Sequence, residues 1–149
     1  MKDVYIAGTL LHAKKDQWKI YEKIADKLEK IGMASHIPHI HTAKGKDIHA
    51  PVGSPNEPNP VDAYRTNLEV IKNAKLIVAE VSNPSLGTGI EIGIAMQLKK
   101  PIICLAKNDA LVTRMIRGAG ELGLLSLIRY GEEEEGLNKL VEEIKKMEL

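Results

Sequence analysis

The sequence is poor in most of the features that would assign it to a special class. It has one cysteine, Cys104, in 149 residues, so no intramolecular disulfide can form. A lone thiol inside the apolar run Pro101–Leu105 reads as a buried structural residue. It also lacks a charge bias: 21 Lys and Arg stand against 20 Asp and Glu, a net charge of +1. A nucleic-acid-binding domain carries a basic excess or stripe, so a nucleic-acid polymer is not an expected partner. A small anionic ligand needs only a local site. There is no signal-like segment and no apolar run long enough to span a membrane, so a cytoplasmic protein without membrane contact is expected. The first predicted strand is not followed by G-x-G-x-x-G, and the Gly-Lys-Ser/Thr of a Walker loop is missing. Four of the five histidines (His36, His39, His41 and His49) fall in or near one loop, but their spacing matches no zinc pattern and the cysteine is far along the chain. No metal and no cofactor are expected; base contact or loop polarity accounts for these histidines better.

What remains is an ordinary globular composition, 44% apolar and 28% charged, suited to a single domain over residues 1–149. Strand and helix signals alternate. Strands are expected at Val4–Ala7, Met33–Ile37, Leu76–Val81, Pro101–Ala106 and Leu124–Ile128. Helices are expected at Lys15–Ile31, stopped by Gly32, and at Val61–Asn73, Gly89–Leu98, Ala110–Ile116 (ended by Gly118) and Glu132–Met147. His39–Pro60, with Pro51, Gly53, Pro55, Pro58 and Pro60, has no sustained period and reads as a long loop, functional or mobile at that length. Strands separated by helices pair in parallel through right-handed crossovers. The expected fold is a three-layer α/β, Rossmann-like (flavodoxin-like) sandwich around a five-stranded parallel sheet of order 2-1-3-4-5. The apolar runs Leu76–Val81 and Ile102–Leu105 then sit centrally, buried on both faces. In that order the turns after Gly8 and Val81 face each other across the switch-point crevice, where such sheets bind ligands.

The stretch that carries chemistry runs from Val78 through the Pro/Gly/Ser-rich turn Asn83-Pro84-Ser85-Leu86-Gly87-Thr88-Gly89 to Glu91. Gly87 and Gly89 let backbone approach a ligand, and the N–H groups at a helix start can hold an anion. With the helix beginning near Gly89, Glu91 falls in its first turn, where the dipole favours an ionised carboxylate that could attack a sugar phosphate. A favourable charge at a helix N-terminus explains Glu91 equally well at this level. The first turn adds Gly8, the Thr9 hydroxyl and the Tyr5 phenol, which could instead be a packed strand residue. Thr113-Arg114-Met115-Ile116-Arg117-Gly118 brings two arginines to the end of a short helix, as phosphate ligands or as solvated charges.

With these residues in view, the chain resembles the nucleoside 2-deoxyribosyltransferase-like superfamily, and within it the 2'-deoxynucleoside 5'-monophosphate N-hydrolases. The resemblance covers about Tyr5 to Tyr130. Its most specific parts are Ala79-Glu80-Val81 with Pro84-Ser85-Leu86-Gly87-Thr88-Gly89-Ile90-Glu91-Ile92-Gly93, and Met115-Ile116-Arg117-Gly118-Ala119. It implies a Rossmann-like homodimer with a shared active site that hydrolyses the N-glycosidic bond of deoxynucleotides. By that likeness Glu91 is the nucleophile and Tyr5 helps to hold sugar and nucleophile. Gly8, Thr9, Ser85, Gly87 and Gly89 surround sugar and phosphate, and Thr113 matches a serine that reaches the phosphate from the neighbouring subunit. Where the transferases that use free nucleosides carry an aspartate, this chain has Ser85, which can donate a hydrogen bond to a 5'-phosphate instead of repelling it. Two residues depart from the pattern. Asn67 replaces a catalytic aspartate, and an amide cannot take up or release a proton; Leu11 replaces an arginine in the first loop.

Nucleotide N-hydrolase is therefore the expected activity. Deoxyribosyl transfer and nucleotide binding without turnover are the alternatives. The Gly87-Thr88-Gly89-Ile90-Glu91 segment is also similar to the phosphoribohydrolases that release cytokinin bases, but Ser85 stands where they have a glycine. A dimer interface is expected on the third and fourth helices, centred on Ile94, Met96, Leu111 and Met115.

Overall fold

A computed structural model describes residues 2–149. Five strands form one parallel sheet in the order β2-β1-β3-β4-β5: β1 (Val4–Gly8), β2 (Ser35–His36), β3 (Leu76–Glu80), β4 (Ile102–Lys107) and β5 (Ser126–Tyr130). The expected order thus holds. β1 and β3 lie side by side in register from Val4 opposite Leu76 to Gly8 opposite Glu80, so they end level. The chain leaves β1 toward β2 and leaves β3 toward β4, on opposite sides, which opens the crevice at their carboxyl ends.

Alternation along the strands divides the core in two. Tyr5, Ala7, Ile77, Ala79, Ile102 and Cys104 face α2 (Pro60–Asn73), α3 (Leu86–Gln97) and α4 (Arg114–Glu121), meeting Ile71, Ile92, Ala95 and Ala119. Val4, Ile6, Leu76, Val78, Ile103 and Leu105 face α1 (Lys19–Glu29) and α5 (Glu133–Lys146), meeting Ile24, Leu28, Leu137, Leu140 and Ile144. Each fully buried Ile or Leu contributes roughly 1.5–3 kcal/mol of transfer free energy. Cys104 is a free cysteine, and burial pushes its thiol pKa up to about 12. Among the described residues, no helix is long and apolar enough to cross a membrane.

Several boundaries differ from the sequence reading, for local reasons. α3 starts at Leu86, three residues before Gly89, because the Ser85 side chain caps it by accepting from the Thr88 N–H at 3.2 Å. α4 starts at Arg114 rather than Ala110. Val112 is drawn into the core and Thr113 takes an extended ψ of 144°, so no helix can form before it. Nor does Gly118 end α4. The helix runs through to Glu121 and closes at Gly123 (φ +75), where the Leu124 N–H donates to the Ala119 carbonyl at 2.9 Å in a Schellman turn. That turn consumes residues 122–125 and moves β5 to Ser126–Tyr130. α1 ends at Glu29, and the turn that stops it closes at Gly32 (φ +81), where the Met33 N–H donates to the Leu28 carbonyl at 3.0 Å; the expected first turn, Lys15–Trp18, is a 3-10 turn. At the entry to the long loop, Pro38–Thr42 forms a single π-helical turn.

Candidate functional site

The crevice is built on two turns clasped together. Thr9, buried at the end of β1, donates its hydroxyl to the Asn83 carbonyl at 3.0 Å, and its own carbonyl accepts from the Tyr21 hydroxyl at 2.8 Å. Its hydroxyl proton therefore goes to holding the walls at a fixed separation. Gly8 is glycine because a methyl group there would overlap the Tyr21 ring. On the β3 side the buried Glu80 carboxylate accepts from the Ser82 N–H at 2.6 Å, the Ser82 hydroxyl at 3.1 Å and the Tyr130 hydroxyl. Ser82 in turn accepts from the Lys107 N–H at 2.8 Å, tying the turn to β4.

Three side chains that share no sequence neighbourhood converge beside these turns: Tyr5 of β1, Asn67 of α2 and Glu91 of α3. Since α3 begins at Leu86, Glu91 is its sixth residue, in the second turn rather than the first. The expectation of a dipole-stabilised carboxylate is overturned. Burial pushes the Glu91 carboxyl up to about 7, opposed by the facing Tyr5 hydroxyl and by the Asn67 amide. Asn67 Nδ2 donates to Glu91 Oε1 at a long 3.5 Å. The Tyr5 hydroxyl is buried, makes no well-formed hydrogen bond, and faces Glu91 closely enough for each to alter the other's ionisation. Burial first, then the Glu91 charge, holds the phenol well above its ordinary range. A buried hydroxyl without a partner costs about 1–3 kcal/mol, which a bound polar ligand would recover.

A pocket of about 120 Å³ opens here, lined by Tyr64, Asn67, Leu68, Ile71, Gly87, Ile90, Glu91 and Ile94. A Cβ added at Gly89 would meet nothing within 4 Å, and one at Gly87 only Ser85 Oγ at 3.9 Å. The backbone at the start of α3 is therefore open to a ligand. The Ser85 hydroxyl accepts from the helix but keeps its own proton free to donate.

Thr113 is not brought to this crevice by its own chain. It is the exposed N-cap of α4, accepting from the Met115 N–H at 3.4 Å. The two arginines lie in the first half of α4, not at its end, and Arg117 Nε donates to the Val112 carbonyl at 2.9 Å. The histidines spread over aromatic rings. His39 and His49 lie 5.2 Å from Trp18, and His36 stacks on Tyr5 at 5.6 Å and 13°. Among the described residues, no group of three or more His, Cys, Asp or Glu could hold a metal ion. Sequence reasoning missed His36 and Thr42, which stand behind Asn67. His36 Nε2 is 2.7 Å from Thr42 Oγ1, which donates to Asn67 Oδ1 at 2.6 Å. No motif flags such a chain, because its members lie on three separate elements.

A parallel α/β sheet with a half-buried carboxylate at its switch point defines a class of small crevice-binding folds, and comparison with known proteins narrows it. Residues 4–141 match the nucleoside 2-deoxyribosyltransferase family, and the chain belongs to it. It is 32% identical to the mouse 5-hydroxymethyl-dUMP N-hydrolase over 133 residues, covering 88% of this chain and 73% of that protein. The human protein of the same name is 29% identical over 136 residues, with coverages of 88% and 73%. Among solved structures, the CMP N-glycosidase of Clostridium botulinum superposes with a TM-score of 0.67 at 25% identity, over 92% of this chain and 96% of that one. The 2-deoxyribosyltransferase of Bacillus psychrosaccharolyticus has a TM-score of 0.64 at 20% identity, covering 91% and 90%, and shares the fold.

Proposed function

We propose that the protein is an N-glycosidase that hydrolyses the N-glycosidic bond of (deoxy)nucleoside 5'-monophosphates, releasing free base and (deoxy)ribose 5-phosphate. The observation that carries this reading is the half-buried Glu91 carboxyl bracketed by the Tyr5 phenol and the Asn67 amide, beside the open, Ser85-capped start of α3. The names of the relatives, nucleotide N-hydrolases and a nucleotide N-glycosidase, support it.

In the proposed reaction Glu91 attacks the anomeric carbon as the carbon–nitrogen bond breaks, and the bonding pair leaves with the base. The departing nitrogen takes its proton from solvent, since Asn67 has none to give. Water then attacks the anomeric carbon of the glycosyl ester; its hydroxyl stays on the sugar, its proton is released, and Glu91 returns as a carboxylate. Tyr5 orients Glu91 and the sugar. Gly87 and Gly89 admit the sugar phosphate to the helix start, where Ser85 donates to the phosphate. Gly8 and Thr9 shape the opposite wall. Only the ionised carboxylate attacks, so base release rises with pH through about 7.

The active unit in this reading is a homodimer in which Thr113 reaches the partner's phosphate site. Leu111 and Met115, 89% and 82% exposed, sit on either side of Thr113, and Leu86 and Ile90 are exposed on α3. Such apolar exposure supports an interface there. Ile94 and Met96, expected at its centre, pack instead against the chain's own core.

The test is a panel of deoxy- and ribonucleoside monophosphates and free nucleosides, assayed for base and sugar phosphate with and without an acceptor base, plus intact mass after acid quench. Free sugar phosphate and a glycosyl adduct lost in Glu91→Gln are expected. Base exchange without free sugar phosphate would make it a transferase, and binding without release a nucleotide-binding protein.

A further inference from the structure

Behind the Glu91 carboxyl runs a hydrogen-bonded chain with a single direction. A threonine hydroxyl has one proton, and that of Thr42 is donated to Asn67 Oδ1 at 2.6 Å. Thr42 must then accept at its other contact, so the His36 nitrogen 2.7 Å away, Nε2, carries a hydrogen. With its carbonyl engaged by Thr42, Asn67 can present only Nδ2 to Glu91. His36 is buried, and its ring also stacks on Tyr5, the second group beside Glu91. We propose that His36 and Thr42 are positioning residues that force Asn67 to offer its N–H, and not its carbonyl, to the Glu91 carboxylate.

The surroundings suit this role. Burial holds His36 down at about 4, so the ring is neutral and keeps one N–H through the physiological range. The ionisable groups around Glu91 are Tyr5 of β1, Tyr64 of α2 along the pocket, and, further back, His36 of β2 and His41 of the π turn, which both sense Lys2. α3 carries no other charged residue. A turned amide would aim a carbonyl at the carboxylate and favour its protonated form. The catalytic consequence rests on the N-glycosidase reading; the orientation of Asn67 does not.

The test is Thr42→Val, with Thr42→Ser as the conservative control, read in two ways. The first is a carboxyl ¹³C NMR titration of Glu91, which needs no turnover; the second is kcat/KM against pH. Thr42→Val should move the Glu91 titration upward, and a rise of one pH unit from about 7 leaves about a tenth ionised at pH 7, roughly a fivefold loss. Activity should return by pH 9, with KM little changed, and Thr42→Ser should restore both. Thr42→Cys, a weak donor, serves if the valine variant fails to fold. An unmoved titration, or an equal loss at pH 7 and pH 9, overturns the proposal. A moved titration in a protein that releases no base from any nucleotide upholds the chain and overturns the glycosidase.

Discussion

Replacing Glu91 by glutamine should make the protein more stable, and only once the pH is above the ordinary range of a carboxyl. Burial raises the folded-state pKa from 4.5 to about 7. Between those values the native protein binds a proton that the unfolded chain has released, so stability falls as pH rises from about 4.5 to about 7, and the cost is fully present above that. The shift corresponds to about 3 kcal/mol as a ceiling. The glutamine side chain keeps the shape and an oxygen for Asn67 Nδ2 to donate to, yet has no charge to bury. Urea unfolding of wild type and Glu91→Gln at pH 4.5 and pH 8 should therefore give nearly equal stabilities at the lower pH. At pH 8 the variant should gain up to about 3 kcal/mol, a rise in Tm of roughly 6–12 °C for a domain this size. Base release should be abolished at both. An equal difference at the two pH values would refute the proton-binding Glu91, and near-normal turnover in the variant would refute its role as nucleophile.

Ser85→Asp keeps a helix-capping oxygen, so the fold should survive, while a charge about 5 Å from a 5'-phosphate costs about 3 kcal/mol at an effective dielectric of 20. Monophosphate kcat/KM should fall roughly 150-fold with free-nucleoside use little changed; equal effects would place the phosphate elsewhere. Met115→Glu, introduced twice across a two-fold interface, should give monomers in sedimentation with weakened phosphate affinity, and a fully active monomer would rule out a shared site. Gly8→Ala should destabilise by about 1–3 kcal/mol in urea by displacing Tyr21 and its bond to Thr9, which an unchanged midpoint would contradict.

The sheet order and the two central strands were legible because period and alternation record them directly: Leu76–Ala79 and Ile102–Ala106 are apolar on both faces and are buried on both. Glycine punctuation was half legible. Gly32 does close the turn that stops α1, but Gly118 resembles a terminator and is not one, because the left-handed turn falls at Gly123. At the site, Gly87, Ser85 and Glu91 stand together in one motif, and the fold brings Tyr5 to them from β1. The electrostatics of Glu91 were misread because a cap three residues earlier pushes it from the first turn into the second. The bonds of Glu80, in an otherwise apolar run, and the chain through His36 and Thr42 could not be read at all, since each depends on contacts between distant elements.

The partition of the core has a consequence for how this protein can change. Tyr5, Asn67 and Glu91 belong to the sheet face covered by α2, α3 and α4, whereas α1 and α5 cover the other with Ile24, Leu28, Leu140 and Ile144. Outside, α1 and α5 are joined by Lys23 to Glu133 and Lys27 to Glu134. Substitutions can accumulate or be engineered across that rear layer, away from the Gly8–Tyr21 contact, without displacing a reacting group. Selection for thermal tolerance and selection for a new base can thus act on separate halves of a single small domain.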